Sequence, residues 1–168
     1  MTARRVKLDR GYTLIEVLVV VTIIGIAGAV VVPHLLESGT LGVQAAARAV
    51  VADILYAQND AIAQQAVRRV EFNVDDNSYV LTDGAGNKLQ VSWRSGGGEG
   101  YEVSFSSDSR FEGVRLVKVD FDDGTVLQFD NMGTPALSTD GVVELEYNGQ
   151  RYRIQVAAFT GRVTVQRL

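Results

Sequence analysis

The chain has 168 residues, no cysteine, one histidine, and a formal charge of −4 from 16 basic and 20 acidic side chains. Without cysteine it has no disulfide framework, and a lone histidine excludes Cys-His centres, Ser-His-Asp centres in a soluble domain, and the usual zinc sites. The acidic balance argues against nucleic acid as the main partner, because phosphate binding needs a basic footprint.

Residues 1–11 form a basic leader: Arg4, Arg5, Lys7 and Arg10 stand against Asp9 alone, a formal +3 that favours a cytoplasmic N-terminus. Removing it leaves 12 basic and 19 acidic residues, or −7. Residues 17–36 follow as an apolar run of 20 with no Asp, Glu, Lys or Arg. At about 1.5 Å per residue such a run reaches roughly 30 Å, the thickness of the hydrocarbon core of a bilayer. Residues 12–36 are therefore expected to be a transmembrane helix.

Glu16 sits one residue before the unbroken run. A carboxylate entering hydrocarbon costs at least ~2.5 kcal/mol, so it calls for a partner. If the chain is cut between Gly11 and Tyr12, Glu16 becomes the fifth residue, and the new ammonium group of a neighbouring copy can neutralise it in a helix bundle. Two other readings of the N-terminus compete. An ordinary signal peptide would be cut after Ala27-Gly28-Ala29, but the apolar character continues through Val30, Val31 and Val32. An unprocessed single-pass anchor would leave Glu16 without a partner.

Gly11-Tyr12-Thr13-Leu14-Ile15-Glu16-Val17, between a basic leader and an apolar run, resembles the N-terminus of type IV pilins and pseudopilins. In that family a dedicated prepilin peptidase cuts after a glycine and N-methylates the new first residue. The resemblance implies processing at Gly11 and Tyr12, N-methylation of Tyr12 (a position usually held by Phe), and a role for Glu16 in assembly.

Within the run, Gly25 and Gly28 suit either a tolerated or a closely packed helix, and Pro33 is expected to kink or unwind it. His34, beside that proline, reads as an interfacial side chain rather than a ligand or base. Residues 37–42, with two glycines and a serine, form a weak point for helix. Beyond it Val43, Ala47, Val50, Ile54, Ala57 and Ala61 recur at three- and four-residue intervals, with Val51, Leu55 and Ile62 widening the stripe. Arg48, Asp53, Gln58, Asp60 and Gln64 fall mostly elsewhere. Residues 37–67 are thus expected as an amphipathic helix on a sheet; continuous with the anchor, it would measure roughly 80 Å.

Residues 68–168 change to alternating, β-branched and aromatic runs between turn signals, which predicts antiparallel strands at 69–74, 78–82, 88–94, 101–106, 114–121, 125–129, 142–147, 151–159 and 163–167. Asn148-Gly149 marks the clearest hairpin. Anchor, amphipathic helix and antiparallel sheet or sandwich make an α+β fold with pilin-like order. Phe129-Asp130-Asn131-Met132-Gly133-Thr134-Pro135, a hairpin, Tyr152-Arg153-Ile154-Gln155-Val156 and Thr160-Gly161-Arg162-Val163 are similar to the C-terminal pattern of GspH/FimT-type minor pseudopilins.

Three stretches hold residue types suited to chemistry. Asp120, Asp122, Asp123 and Asp130 offer oxygen ligands of the kind calcium takes, yet Asp-Asp-Gly is also good turn chemistry and no EF-hand spacing appears. Residues 95–100 are glycine-rich but lack the lysine and helix of a phosphate loop, and read as a mobile loop. Arg151, Arg153, Arg162 and Arg167 make a locally basic end. Some FimT-side relatives resemble DNA-uptake proteins with a second arginine two residues after a Gly-Arg pair; here that position is Thr164, so the motif is broken.

The resemblance therefore implies a structural minor pseudopilin of a type II secretion pseudopilus, with no catalytic residue, metal or cofactor. Its expected place is the bacterial inner membrane, single-pass, with the C-terminal domain periplasmic. Its implied partners are prepilin peptidase, other pseudopilins or pilins of the same filament, and secreted cargo. The alternative is a minor pilin of a type IV pilus, including a DNA-uptake role.

Overall fold

The computed structural model describes residues 12–91 and 100–168, and within its first helix it describes side chains outside 30–41. The leader, Gly11 and most of the glycine-rich loop lie outside the described residues, as do the side chains of Pro33 and His34, whose backbone is part of the first helix. The chain divides into two compact units, Met1–Ser38 and Gly39–Leu168.

Helix α1, Leu14–Gln64, carries through the expected weak point at 37–42. A glycine costs a helix interior about 1 kcal/mol, which long, cooperative helical flanks can offset. Its C-terminus closes without glycine. Gln65 takes φ 50°, its N–H donates to the Ile62 carbonyl at 3.3 Å, and the Ala66 N–H donates to the Ala61 carbonyl at 3.1 Å. These are the two bonds of a Schellman cap.

Among the described residues eight strands follow: β1 Arg68–Asn73, β2 Ser78–Asp83, β3 Glu102–Ser104, β4 Arg115–Asp120, β5 Val126–Phe129, β6 Gly141–Tyr147, β7 Gln150–Val156 and β8 Val163–Arg167. They form two four-stranded sheets ordered β3-β2-β1-β5 and β4-β6-β7-β8, and neighbouring strands pair antiparallel. The expected α+β, pilin-like fold class is borne out. The segment expected as a strand at 88–94 supplies only an isolated bridge, Thr82 to Lys88, within its described part. Sequence also missed the short 3-10 turn Ser109–Phe111, capped by the Asp108 side chain.

At the β6–β7 hairpin, Asn148 and Gly149 both take positive φ, 47° and 78°, and Tyr147 pairs with Gln150. This is the two-residue turn that Asn-Gly favours. Asp122 and Asp123 likewise take φ 52° and 64°. Here the tight turn joins strands of different sheets, since β4 pairs with β6 while β5 pairs with β1. The chain switches layers at 121–124, which the alternation of side chains cannot reveal.

The core of the second unit combines one face of α1 with both sheets. Val43, Ala46, Ala47, Val50, Ile54, Ala57 and Ala61 are all fully or almost fully buried, together with Val70, Leu81, Leu127 and Phe129 of one sheet and Val143, Leu145, Ile154 and Val156 of the other. Four alanines in the stripe let the sheets approach the helix closely. Rings link Phe121, Phe72, Tyr79, Phe105 and Phe111 in sequence, with centroids 5.4–5.7 Å apart, in the range where aromatic pairs attract.

Two expectations for α1 need correction. Leu55 and Ile62, read as widening the buried stripe, are 40% and 49% exposed. Asp53, read as lying off the stripe, is buried at 7% exposure and accepts from the Tyr79 hydroxyl at 2.5 Å. A buried carboxylate persists where a donor satisfies it.

Candidate assembly surface

The N-terminal half of α1 starts on a cap. Thr13 precedes the first helical residue, and its Oγ1 accepts from the Glu16 N–H at 3.2 Å, which satisfies one of the free amides of the first turn. Thr13-x-x-Glu16 is the spacing of a capping box, a local signal that the sequence also carries. Thr22 Oγ1 donates to the Leu18 carbonyl at 2.8 Å, so its hydroxyl is satisfied within the helix itself.

Around this segment the surface is apolar on every side. Tyr12 is 84% exposed, and Leu14, Ile15, Val17, Leu18, Val19, Val20, Val21, Ile23, Ile24 and Ile26 are 48–86% exposed. A helix that is hydrophobic all round belongs in an apolar environment. Glu16 is the single acid of the first turn. No described residue bonds to its carboxylate. Tyr12 and Glu16 thus share one helix start; Gly11, the third residue expected there, lies outside the described residues. Among the described residues no helix is long and apolar enough to cross a membrane, and within the run at 17–36 the side chains are described only as far as Ala29.

A second surface is built by the two C-terminal motifs. Gln58 Nε2 donates to the Gly133 carbonyl at 2.8 Å and to the Thr160 carbonyl at 3.3 Å, so one glutamine of α1 holds both turns. Gly133 and Gly161 take φ 78° and 67°. A Cβ on Gly133 would stand 2.7 Å from Ile62 Cδ1, and one on Gly161 would stand 2.4 Å from Gln58 Nε2. Both positions therefore require glycine, for backbone angle and for close approach to the helix. The motif glycines were legible in the sequence, but Gln58 was not, since nothing marks one polar helix residue as the clamp.

Beside Gly161, Phe159 takes φ 65° while its side chain is 74% exposed. A left-handed conformation of an aromatic residue costs about 1–3 kcal/mol and needs support from its surroundings. The support is a tight set of backbone bonds: Thr160 N–H to the Ala158 carbonyl at 2.8 Å, Gly161 N–H to Ala157 at 3.0 Å, and Ala157 N–H to Arg162 at 2.9 Å.

The acidic turn does not gather a metal site. Asp122 accepts from the Ser138 and Thr139 amides at 2.6 and 3.1 Å and from the Thr139 hydroxyl at 2.9 Å. Asp130 accepts from the Met132 and Thr134 amides at 2.9 and 2.8 Å. Among the described residues no three His, Cys, Asp or Glu side chains converge. The amide of Ser138, then the hydroxyl of Thr139, holds the Asp122 carboxyl below its ordinary range. Burial, followed by the nearby Asp60 carboxylate, raises the Tyr56 phenol.

The strand arginines are engaged as well. Arg151 pairs with Glu146 at 2.5 Å, and Arg153 pairs with the buried Glu144 at 2.7 Å. Each pair lies directly across β6 and β7, so these cations face carboxylates rather than an open phosphate track.

Comparison with known proteins bears on both surfaces. The family described as the prokaryotic N-terminal methylation motif matches residues 6–32, which contain Gly11, Tyr12 and Glu16. The chain is 29% identical over 156 residues to the type II secretion system protein H of Xanthomonas campestris pv. campestris, covering 92% of this chain and 81% of that protein. Its fold is similar to the type IV minor pilin FimU of Pseudomonas aeruginosa, at TM-score 0.53 and 17% identity over 74% of this chain and 87% of that one. It is equally similar to the minor pseudopilin EpsH of the type 2 secretion system of Vibrio cholerae, at TM-score 0.53 and 13% identity over 74% and 96%. In its N-terminal motif, its near full-length likeness to a protein H and its helix-then-two-sheets fold, this chain is similar to type IV pilin-like minor pseudopilins of the GspH/FimT type.

Proposed function

We propose that the chain is a structural subunit of the periplasmic pseudopilus of a type II secretion system. In this reading prepilin peptidase cuts after Gly11 and methylates Tyr12, and residues 12–36 hold the protein in the inner membrane with the N-terminus cytoplasmic. Glu16 takes the N-terminal ammonium of a neighbouring subunit as its partner. The domain after residue 67 then reaches neighbours and secreted cargo from the periplasmic side.

The observation that carries the reading is the start of α1, where a single carboxylate with no partner among the described residues stands in a surface that is otherwise apolar all round. A charge at that depth requires a counter-charge, and apolar side chains require a cover. Neighbouring anchors of the same kind supply both. The likeness to a type II secretion protein H favours the secretion filament over a pilus.

The test separates processing from assembly. Gly11→Leu is expected to accumulate in membranes as uncut precursor. Glu16→Ala is expected to be cut normally and to lose most of its recovery in sheared filaments. Normal maturation of the Gly11 variant contradicts the processing step; normal filament recovery of the Glu16 variant contradicts the pairing.

A further inference from the structure

Residues 12–29 carry four polar side chains, Tyr12, Thr13, Glu16 and Thr22. Two of them are engaged by the helix itself: Thr13 Oγ1 accepts from the Glu16 N–H at 3.2 Å, and Thr22 Oγ1 donates to the Leu18 carbonyl at 2.8 Å. The other two are a donor and an acceptor. Neither the Tyr12 phenol, on a residue 84% exposed, nor the Glu16 carboxylate has a bonding partner among the described residues. They do not meet within one chain. Tyr12 precedes the first helical residue, Leu14, and borders an open groove of about 520 Å³ along the face of Leu14, Val17, Leu18 and Val21, which Glu16 does not line. Away from water an unmet hydroxyl is costly, so each group calls for a partner from outside the chain.

A buried ion pair is favourable only when further hydrogen bonds fill the remaining lone pairs of its carboxylate. An ionised carboxylate has about four acceptor sites, and a methylated ammonium brings fewer N–H donors to them than an unmethylated one. A phenol adds a donor without adding charge. We propose that the Tyr12 hydroxyl is a second donor to the carboxylate that receives this chain's own N-terminal ammonium in a neighbouring anchor. The proposal rests on the ammonium–carboxylate pairing above and goes beyond it, since Phe, the residue usual at this position in the family that the N-terminus resembles, has no donor. A lipid headgroup is the rival acceptor, because tyrosine is enriched where membrane meets water; it would leave the carboxylate short of a donor.

The test replaces the parent chain by full-length variants in its own cells. Intact mass gives the cut, methylated fraction of each variant, and two amounts are then read per cut chain: that in the membrane and that in sheared filaments. Tyr12→Phe removes the hydroxyl alone. It is expected to lower filament recovery about tenfold, the factor that one hydrogen bond to a charged acceptor sets, with the membrane amount at the parent's level. p-Aminophenylalanine in place of Tyr12 keeps a donor and is expected to restore recovery; p-methoxyphenylalanine has a similar shape but no donor and is expected not to. Glu16→Ala is measured beside them. Full filament recovery of Tyr12→Phe with loss in Glu16→Ala overturns the role of the phenol and leaves the pairing standing. Full recovery of both overturns both. Equal recovery with the methoxy and amino side chains, which makes the ring's bulk the active feature, contradicts the proposal, and so does a parallel loss from membrane and filament, which makes a headgroup the acceptor.

Discussion

Leu18, Val21 and Ile24 are each more than half exposed, whereas Val43, Val50 and Ile54, on the same helix α1, are fully buried. The two sets have the same chemistry. The difference lies in their surroundings: the second set packs within its own unit against two sheets, while the first set is exposed. Apolar residues on one helix therefore answer two separate demands. Residues 43–61 stabilise the domain, and the described side chains of residues 14–29 are left exposed; in the proposed reading a membrane and neighbouring subunits cover them.

A pair of matched substitutions is the strongest way to break that comparison. Ile54→Ala removes a fully buried side chain and is expected to cost about 2–5 kcal/mol of domain stability. Ile24→Ala makes the same chemical change and is expected to leave the domain's unfolding midpoint unchanged. Denaturation of both full-length variants in detergent, followed by a probe in the β-domain, measures the difference. Equal losses would mean that the two halves of α1 share one cooperative core.

Next in size is the clamp between the helix and the C-terminal turns. Gly161→Ala puts a Cβ into left-handed backbone against Gln58 and is expected to cost about 1–2 kcal/mol. Gly25→Ala, in the anchor, has open space around its Cβ and is expected to leave the domain's midpoint within error of the parent. Thermal unfolding of the two variants side by side sharpens the contrast.

How far these features could be read beforehand differs between the two regions for physical reasons. The buried stripe announced itself because alanine, valine and isoleucine at three- and four-residue spacing define one helix face, and all six residues named for it are buried. The exceptions depended on partners distant in sequence. Asp53 is buried because Tyr79, 26 residues away, bonds to it; Ile62 is half exposed and crowds Gly133 in a turn from the far end of the domain. Strand positions were legible from alternation and turn residues, with Asn148-Gly149 the clearest. Sheet membership was not, because alternation fixes which side chains share a face and leaves the neighbouring strand open; hence the layer switch at Asp122-Asp123 went unforeseen. At the N-terminus Tyr12 and Glu16 were singled out from local pattern alone, and the Thr13 cap was equally local.

The smallest predicted effect concerns acid. Asp122 has a folded-state pKa below the ordinary 3.8, so its contribution is fully present above that value and is lost as the pH falls through the lower, folded-state one. Stability is expected to fall with acidification in that window, and Asp122→Asn is expected to flatten this part of the profile. The anchor region has no corresponding loop carboxylate, so helicity of residues 14–29 is expected to stay constant over the same range. Circular dichroism against pH on both proteins reads the two responses.

The fate of the N-terminus decides most directly whether the chain is a processed filament subunit. Intact mass and N-terminal sequencing of the protein isolated from its own membranes are expected to give a chain that begins at Tyr12 and is one methyl group heavier than the unmodified fragment. A chain that begins at Met1, or at Val30, would contradict the processed-subunit account and leave Glu16 without the partner it requires.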